Sequence, residues 1–271
     1  LSTPPPRSLT PAARLEAWLQ NLRPSEHTAV FGMAVAVGVL AGLGNVLFRS
    51  LIELFHTLVF QTGWRALGLD AGLPVLLLLP LLPMAGACLL APLDYLFPGE
   101  VMGYGLPRFL ENVNLRGAIF RARTLAIKSV ASAITIGTGG SAGMEGPIAQ
   151  IGGALGSLVG QGLRVGSERL RTLVACGVAG GVAGTFNAPI AGVFFAHEIV
   201  LLRSFEASSF TPVVISAGIG TLVTRGIEGN RPAFHVPEYA LRSYWEVPLY
   251  LFLGVLVAVA AVHFIRSFYA I

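Results

Sequence analysis

Residues 139–153 read GGSAGMEGPIAQIGG, and Glu145 is the only charge between Lys128 and Arg164. Three segments share a design: GYGLP at 103–107, GMEGP at 143–147 and FNAP at 186–189. Each ends in proline (Pro107, Pro147, Pro189) and leads into an apolar run. Proline suits the first positions of a helix, where its missing N–H would have no intrahelical partner. Glycine ahead of it, as at Gly103, Gly105, Gly143 and Gly146, lets the backbone turn sharply and approach a ligand. The pattern predicts three helix N-termini. Such an end offers unpaired N–H donors and a partial positive charge. In hydrocarbon those donors must meet protein, water or a ligand. Several ends converging on one point form an anion site. Proline kinks explain a single break of this kind, whereas three breaks with an acid in one favour a site.

Glu145 sharpens that reading. A charged side chain at the centre of a bilayer costs about 2.5 kcal/mol or more, so a buried intramembrane acid points to function. At a helix start a carboxylate is electrostatically welcome and occupies the place an anion would take. Protonation would weaken its hold and let an external anion replace it, which describes a gate. The plainer alternative is a glutamate capping its own helix.

The elements that must position these groups are membrane helices. The chain has 271 residues, 54% hydrophobic and 12% charged, about half the charged fraction of an ordinary soluble domain. Its net charge of +4 comes with 18 basic residues of which only Lys128 is lysine. The arginines lie mostly between apolar runs, as in loops facing headgroups, so nucleic-acid binding is not indicated. Cys88 and Cys176 lie within apolar runs and form no metal or disulfide pattern. Residues 1–27 lack the short apolar core of a signal peptide, and Arg7, Arg14 and Arg23 predict a cytoplasmic N-terminus.

Uncharged or weakly charged runs predict a long tilted helix from 28 to about 60 and a proline-interrupted segment at 71–93. A short helix is expected at 106–113, and another helix starts near Gly117. Two segments meet at 139–147, a broken run covers 172–196, and further helices are expected at 207–224 and from 247 onward. Long continuous runs argue against a membrane barrel. The fold class is all-α and polytopic, with eight to ten segments and broken, re-entrant helices.

At these residues the chain resembles the CLC family of chloride channels and proton-coupled chloride exchangers. GYGLP, GMEGPIAQIGG and GTFNAPIAGVFFAHE follow the order and approximate spacing of that family's motifs. The resemblance implies a first inverted repeat at 28–230, after a cytoplasmic segment at 1–27. Residues 231–271 would then be a linker and the first helix of the second repeat. It implies a homodimer in the plasma (inner) membrane, with chloride as the transported ligand and neither cofactor nor metal. Glu145 matches the gating glutamate. Tyr104, Gly105, Gly146, Pro147 and Ile148 match anion-binding positions. Gly103, Pro107, Gly143, Met144, Phe186, Asn187, Pro189 and Ile199 would shape the pore.

The sequence departs from the family pattern in four respects. Tyr104 stands where the family has a serine that touches the anion, and Met144 replaces a basic residue. The internal proton-relay position falls on Ile199, an apolar residue more like a channel's; a shift of one residue offers Glu198, and His197 precedes it. A packed histidine is the plainer reading of His197. The family's second-half motif and late anion-binding tyrosine are absent from the chain. Alternatives are therefore a transporter for another anion such as fluoride or nitrate, or a non-transporting truncated relative. A third is an intramembrane serine hydrolase, since GGSAG at 139–143 fits Gly-x-Ser-x-Gly around Ser141.

Overall fold

The computed structural model describes residues 26–63, 79–101, 105–202, 207–230 and 243–270. Among the described residues all regular structure is helical. The elements are α1 (Glu26–His56), α2 (Leu81–Leu96), α3 (Leu106–Leu115), α4 (Ala122–Gly137) and α5 (Glu145–Gly162). They continue with α6 (Ser167–Phe186), α7 (Pro189–Phe195), α8 (Ala207–Glu228) and α9 (Glu246–Tyr269). Two π-helical stretches, Thr57–Gly63 and Ala196–Leu201, extend α1 and α7. The chain forms two compact units, residues 1–233 and 234–271.

In the first unit α6 is the central helix. Every residue from Leu173 to Thr185 is buried, as expected for a helix that is apolar or small all round. α5, α8, α1 and α7 all pack on it. Close approach depends on two glycine seams. Gly152 of α5 and Gly177 of α6 face each other so tightly that a Cβ on either would collide with the other's carbonyl oxygen. Three residues further along α6, a Cβ on Gly220 of α8 would lie 2.6 Å from the carbonyl oxygen of Gly180. Small residues spaced four apart, as at Gly152, Gly156 and Gly160, let membrane helices meet backbone to backbone.

Buried polar links join α1, α6 and α8. The Thr185 hydroxyl donates to Asn45 Oδ1 at 2.6 Å, and Asn45 Nδ2 donates to Thr224 Oγ1 at 3.4 Å. Arg49 closes the same side, donating to the Thr185 carbonyl at 3.0 Å and pairing with Glu228 at 3.0 Å. The Asn45 and Thr185 side chains are thereby bonded inside the bundle, as a low-dielectric interior requires.

Among the described residues three helical stretches are long and apolar enough to cross a membrane: Thr28–Thr62, Ser208–Glu228 and Glu246–Tyr269. The first matches the long helix expected from 28 to 60. The short helix runs to Leu115 rather than 113, closed by the Asn112 carbonyl, which accepts from the amides of Arg116 and Ala118. The next helix starts at Ala122, not near Gly117. Gly117 (φ +80°) and Ala118 (φ +60°) are left-handed and belong to a turn. In the second unit α9 carries 24 residues and stands on Trp245. Tyr250 donates to Glu246 at 3.1 Å across its first turn.

Candidate functional site

The two glycine-rich breaks before α3 and α5 become helix starts, as predicted. α4 ends at Gly137, and the chain reverses through left-handed Gly139 and the bonds Gly140 N to Thr135 O and Ala142 N to Gly140 O. α5 begins at Glu145 after Met144, with no side-chain cap. Its first intrahelical bond runs from the Ile148 amide to the Met144 carbonyl at 2.9 Å. Pro147 has no N–H, so the amides of Glu145 and Gly146 are the donors left at this end. α3 begins the same way: Gly105 precedes it in extended backbone, Pro107 lies in its first turn, and no side chain caps it.

These two starts line one cavity of about 280 Å³. Leu106 of α3 and the Gly105 that precedes it supply one side, Gly146 and Pro147 of α5 the other. Lys128 and Ser132 of α4 and Gln150 of α5 complete its polar wall. Two partial positive helix ends, one ammonium group and two neutral polar side chains therefore share a space. Such a set suits a small anion and has no use for a cation.

Glu145 is exposed in this chain. Its carboxylate bends back over Gly143 rather than along the helix. Ile148 does not line the cavity: its side chain is fully buried in the core and its amide is already bonded. Met144 packs against the same core. Gly103 and Tyr104 lie outside the described residues.

The third break is built differently. α6 ends at Phe186, Asn187 is left-handed (φ +54°), and α7 starts at Pro189. Asn187 Oδ1 accepts from Arg225 Nε, and Asn187 Nδ2 donates to Asn230 at 2.9 Å, so the segment is tied to the end of α8. None of Phe186, Asn187 and Pro189 lines the central cavity. Of the three predicted helix starts, the cavity joins two.

The residues weighed as a proton relay separate from the cavity as well. His197 is fully buried, with Nδ1 3.1 Å from the Val193 carbonyl and its ring 5.4 Å from that of Phe210. The adjacent Glu198 and Ile199 are exposed. Ser141 lies in a turn between two helices, and the described residues contain no strand. A Gly-x-Ser-x-Gly elbow needs a strand leading into it, so the hydrolase reading loses its structural context.

Lys128, Ser132 and Gln150 are not among the residues the sequence motifs point to. Lys128 left a signal, being the only lysine and the last charge before the long uncharged tract. Ser132 and Gln150 left none, because small and amide side chains occur throughout membrane helices.

Glycine-preceded helix starts facing a shared cavity define a membrane protein built of broken helices. The voltage-gated chloride channel family model matches residues 85–271, and the chain belongs to that family, the CLC proteins. It is 31% identical over 238 residues to the H(+)/Cl(-) exchange transporter ClcA of Vibrio cholerae, covering 87% of this chain and 50% of that protein. It is 33% identical over 250 residues to the chloride channel protein CLC-e of Arabidopsis thaliana, covering 86% of this chain and 34% of the plant protein. A slow cyanobacterial Cl-/H+ antiporter of known structure superposes with TM-score 0.74 at 26% identity, over 87% of this chain and 55% of the antiporter. The chain thus spans about half the length of the bacterial relatives it matches and a third of the plant one. The relatives are named as transporters and channels, not as enzymes.

Proposed function

We propose that the protein this chain belongs to carries chloride across a membrane, through the cavity between the starts of α3 and α5. Glu145 acts as its gate. The observation that carries this reading is the pairing of two uncapped helix starts, at Gly105 and Gly146, around a cavity that also holds Lys128. Membership of the CLC family and the names of the Vibrio and cyanobacterial relatives support chloride as the anion and protons as the coupled ion. Glu145 begins α5, one residue from the cavity wall. An unprotonated carboxylate there competes with chloride for the same helix end, and a protonated one does not. The working unit is a homodimer in the plasma (inner) membrane with the N-terminus cytoplasmic, as in the family the motifs resemble. No cofactor takes part in the transport step.

Paired chloride and proton flux in liposomes holding the complete protein tests this, with Glu145→Ala alongside. The expected result is chloride-driven proton uptake in the wild type, and chloride flux without proton movement in the variant. Absence of chloride flux from both forms would overturn the proposal.

A further inference from the structure

A second cavity, of about 250 Å³, adjoins the central one. The two share Val101, Ala131, Ser132 and Pro147 in their walls. Of these shared residues only Ser132 carries a polar side chain. The second cavity continues past Leu90, Thr135 and Ile136 to Ala142. Ala142 precedes Gly143, over which the Glu145 carboxylate rests. Together the two cavities run from the helix starts at Gly105 and Gly146 toward the turn ahead of Glu145.

α4 supplies one stripe of this wall. Lys128, Ala131, Ser132 and Thr135 recur at steps of three and four residues or lie next to one another, so they share a helix face. The hydroxyls on either side of Ser132 are committed to the helix itself. Ser129 donates to the Leu125 carbonyl at 2.8 Å, and Thr135 donates to the Ala131 carbonyl at 2.9 Å. The Ala142 amide donates to the Gly140 carbonyl at 2.8 Å. Half-buried Ser132 makes no such bond among the described residues. A serine hydroxyl carries one O–H donor, and at Ser132 that donor is kept for the occupant of the junction. An anion passing between Val101, Ala131 and Pro147 loses part of its hydration and needs a donor in its place. Pro147 has no N–H to offer.

We propose that the Ser132 hydroxyl is a side-chain donor to the anion at the junction of the two cavities, and that it favours small, strongly hydrated anions there. Ser132 lies one helical turn from Lys128 on the same face of α4, so an ion leaving the central cavity meets the hydroxyl next. A site built to hydrogen-bond its ligand discriminates against ligands that use the bond less. Chloride, with its charge on one atom, gains more from one O–H than thiocyanate, whose charge is spread along the ion. The place of Ser132 on a transport route rests on the proposed chloride function; its role as a donor to a bound anion does not.

The test uses the complete protein, purified in detergent without chloride and titrated calorimetrically with chloride and, separately, with thiocyanate. Ser132→Ala should weaken chloride binding about tenfold, the scale of a lost hydrogen bond to a charged group. Thiocyanate binding should change much less, and the unfolding temperature should stay as in the wild type. Ser132→Thr, which keeps the hydroxyl, should retain most of the chloride affinity. In liposomes the alanine variant should need about tenfold more chloride for half-maximal efflux, with the maximal rate less affected. The proposal is overturned if Ser132→Ala binds chloride as the wild type does. It is also overturned if the variant loses both anions equally along with its thermal stability, because the serine is then structural. Wild-type chloride binding that depends on Ser132, without chloride flux, would uphold the donor and overturn the transport function with the route. A wild type that neither binds nor moves chloride would overturn both.

Discussion

The carboxylate of Glu145 occupies the space that a side chain at position 143 would fill. A Cβ placed on Gly143 would meet Glu145 Cδ at 2.9 Å and Oε1 at 3.3 Å, and would strike Oε2 directly. The glycine two residues before the acid thus determines where the acid rests. Gly143→Ala is expected to push the carboxylate off this position at little cost, because the far end of a glutamate rotates freely. Chloride efflux should rise toward the Glu145→Ala level while thermal stability stays within about 0.5 kcal/mol. Liposome efflux and unfolding curves of the two variants check this together.

The glycine seam separates positions that resemble one another in the sequence. Gly152→Val would drive a side chain into the Gly177 carbonyl, where backbone faces backbone. A loss of about 3 kcal/mol is expected, with collapse of the monodisperse peak in size-exclusion chromatography. Gly146→Ala, whose Cβ would meet nothing within 4 Å, should leave stability unchanged. Any effect it has on flux then reports the ion path itself.

Thr185→Val removes the donor to Asn45 and leaves a buried amide oxygen short of a partner. A buried polar group deprived of its bond costs about 1–3 kcal/mol. Chemical unfolding in detergent should register that loss. Asn45→Leu/Thr185→Val should recover part of it, because both ends of the bond are then removed.

Lys128→Met takes away the ammonium group that lines the central cavity. Without it the described lining of the central cavity keeps partial helix charges and neutral side chains. The chloride concentration for half-maximal flux should rise about tenfold, as expected when one close countercharge is lost. Lys128→Arg should fall between the two, since the charge remains but its head is larger.

Much of the helical layout was legible in the sequence because apolar length and proline placement are local signals. The break at 139–147 is one case: α4 stops at Gly137 and α5 starts at Glu145. Where the helix starts point was not legible. FNAP reads like the other two breaks, yet Asn187 is tied to Arg225 and Asn230, and its segment does not line the cavity. That outcome depends on α8, some forty residues away. The π-helical stretches after His56 and Phe195 went unforeseen, because an added backbone residue per turn leaves no mark in apolar periodicity. The same extension puts His197 in the core and Glu198 on the surface. The glycine seam was available, since Gly152, Gly156 and Gly160 stand four apart and Gly177 and Gly181 repeat the spacing. Its partner helix was not, because spacing names a face and not what it meets.

The central claim is that the starts of α3 and α5 hold an anion between them. The most direct measurement is anomalous diffraction from crystals of the complete protein grown in bromide. The account predicts a bromide peak in the cavity bounded by Gly105, Gly146 and Lys128, within reach of the Gly146 amide. A protein that transports chloride yet places bromide elsewhere, with this cavity empty, would contradict it.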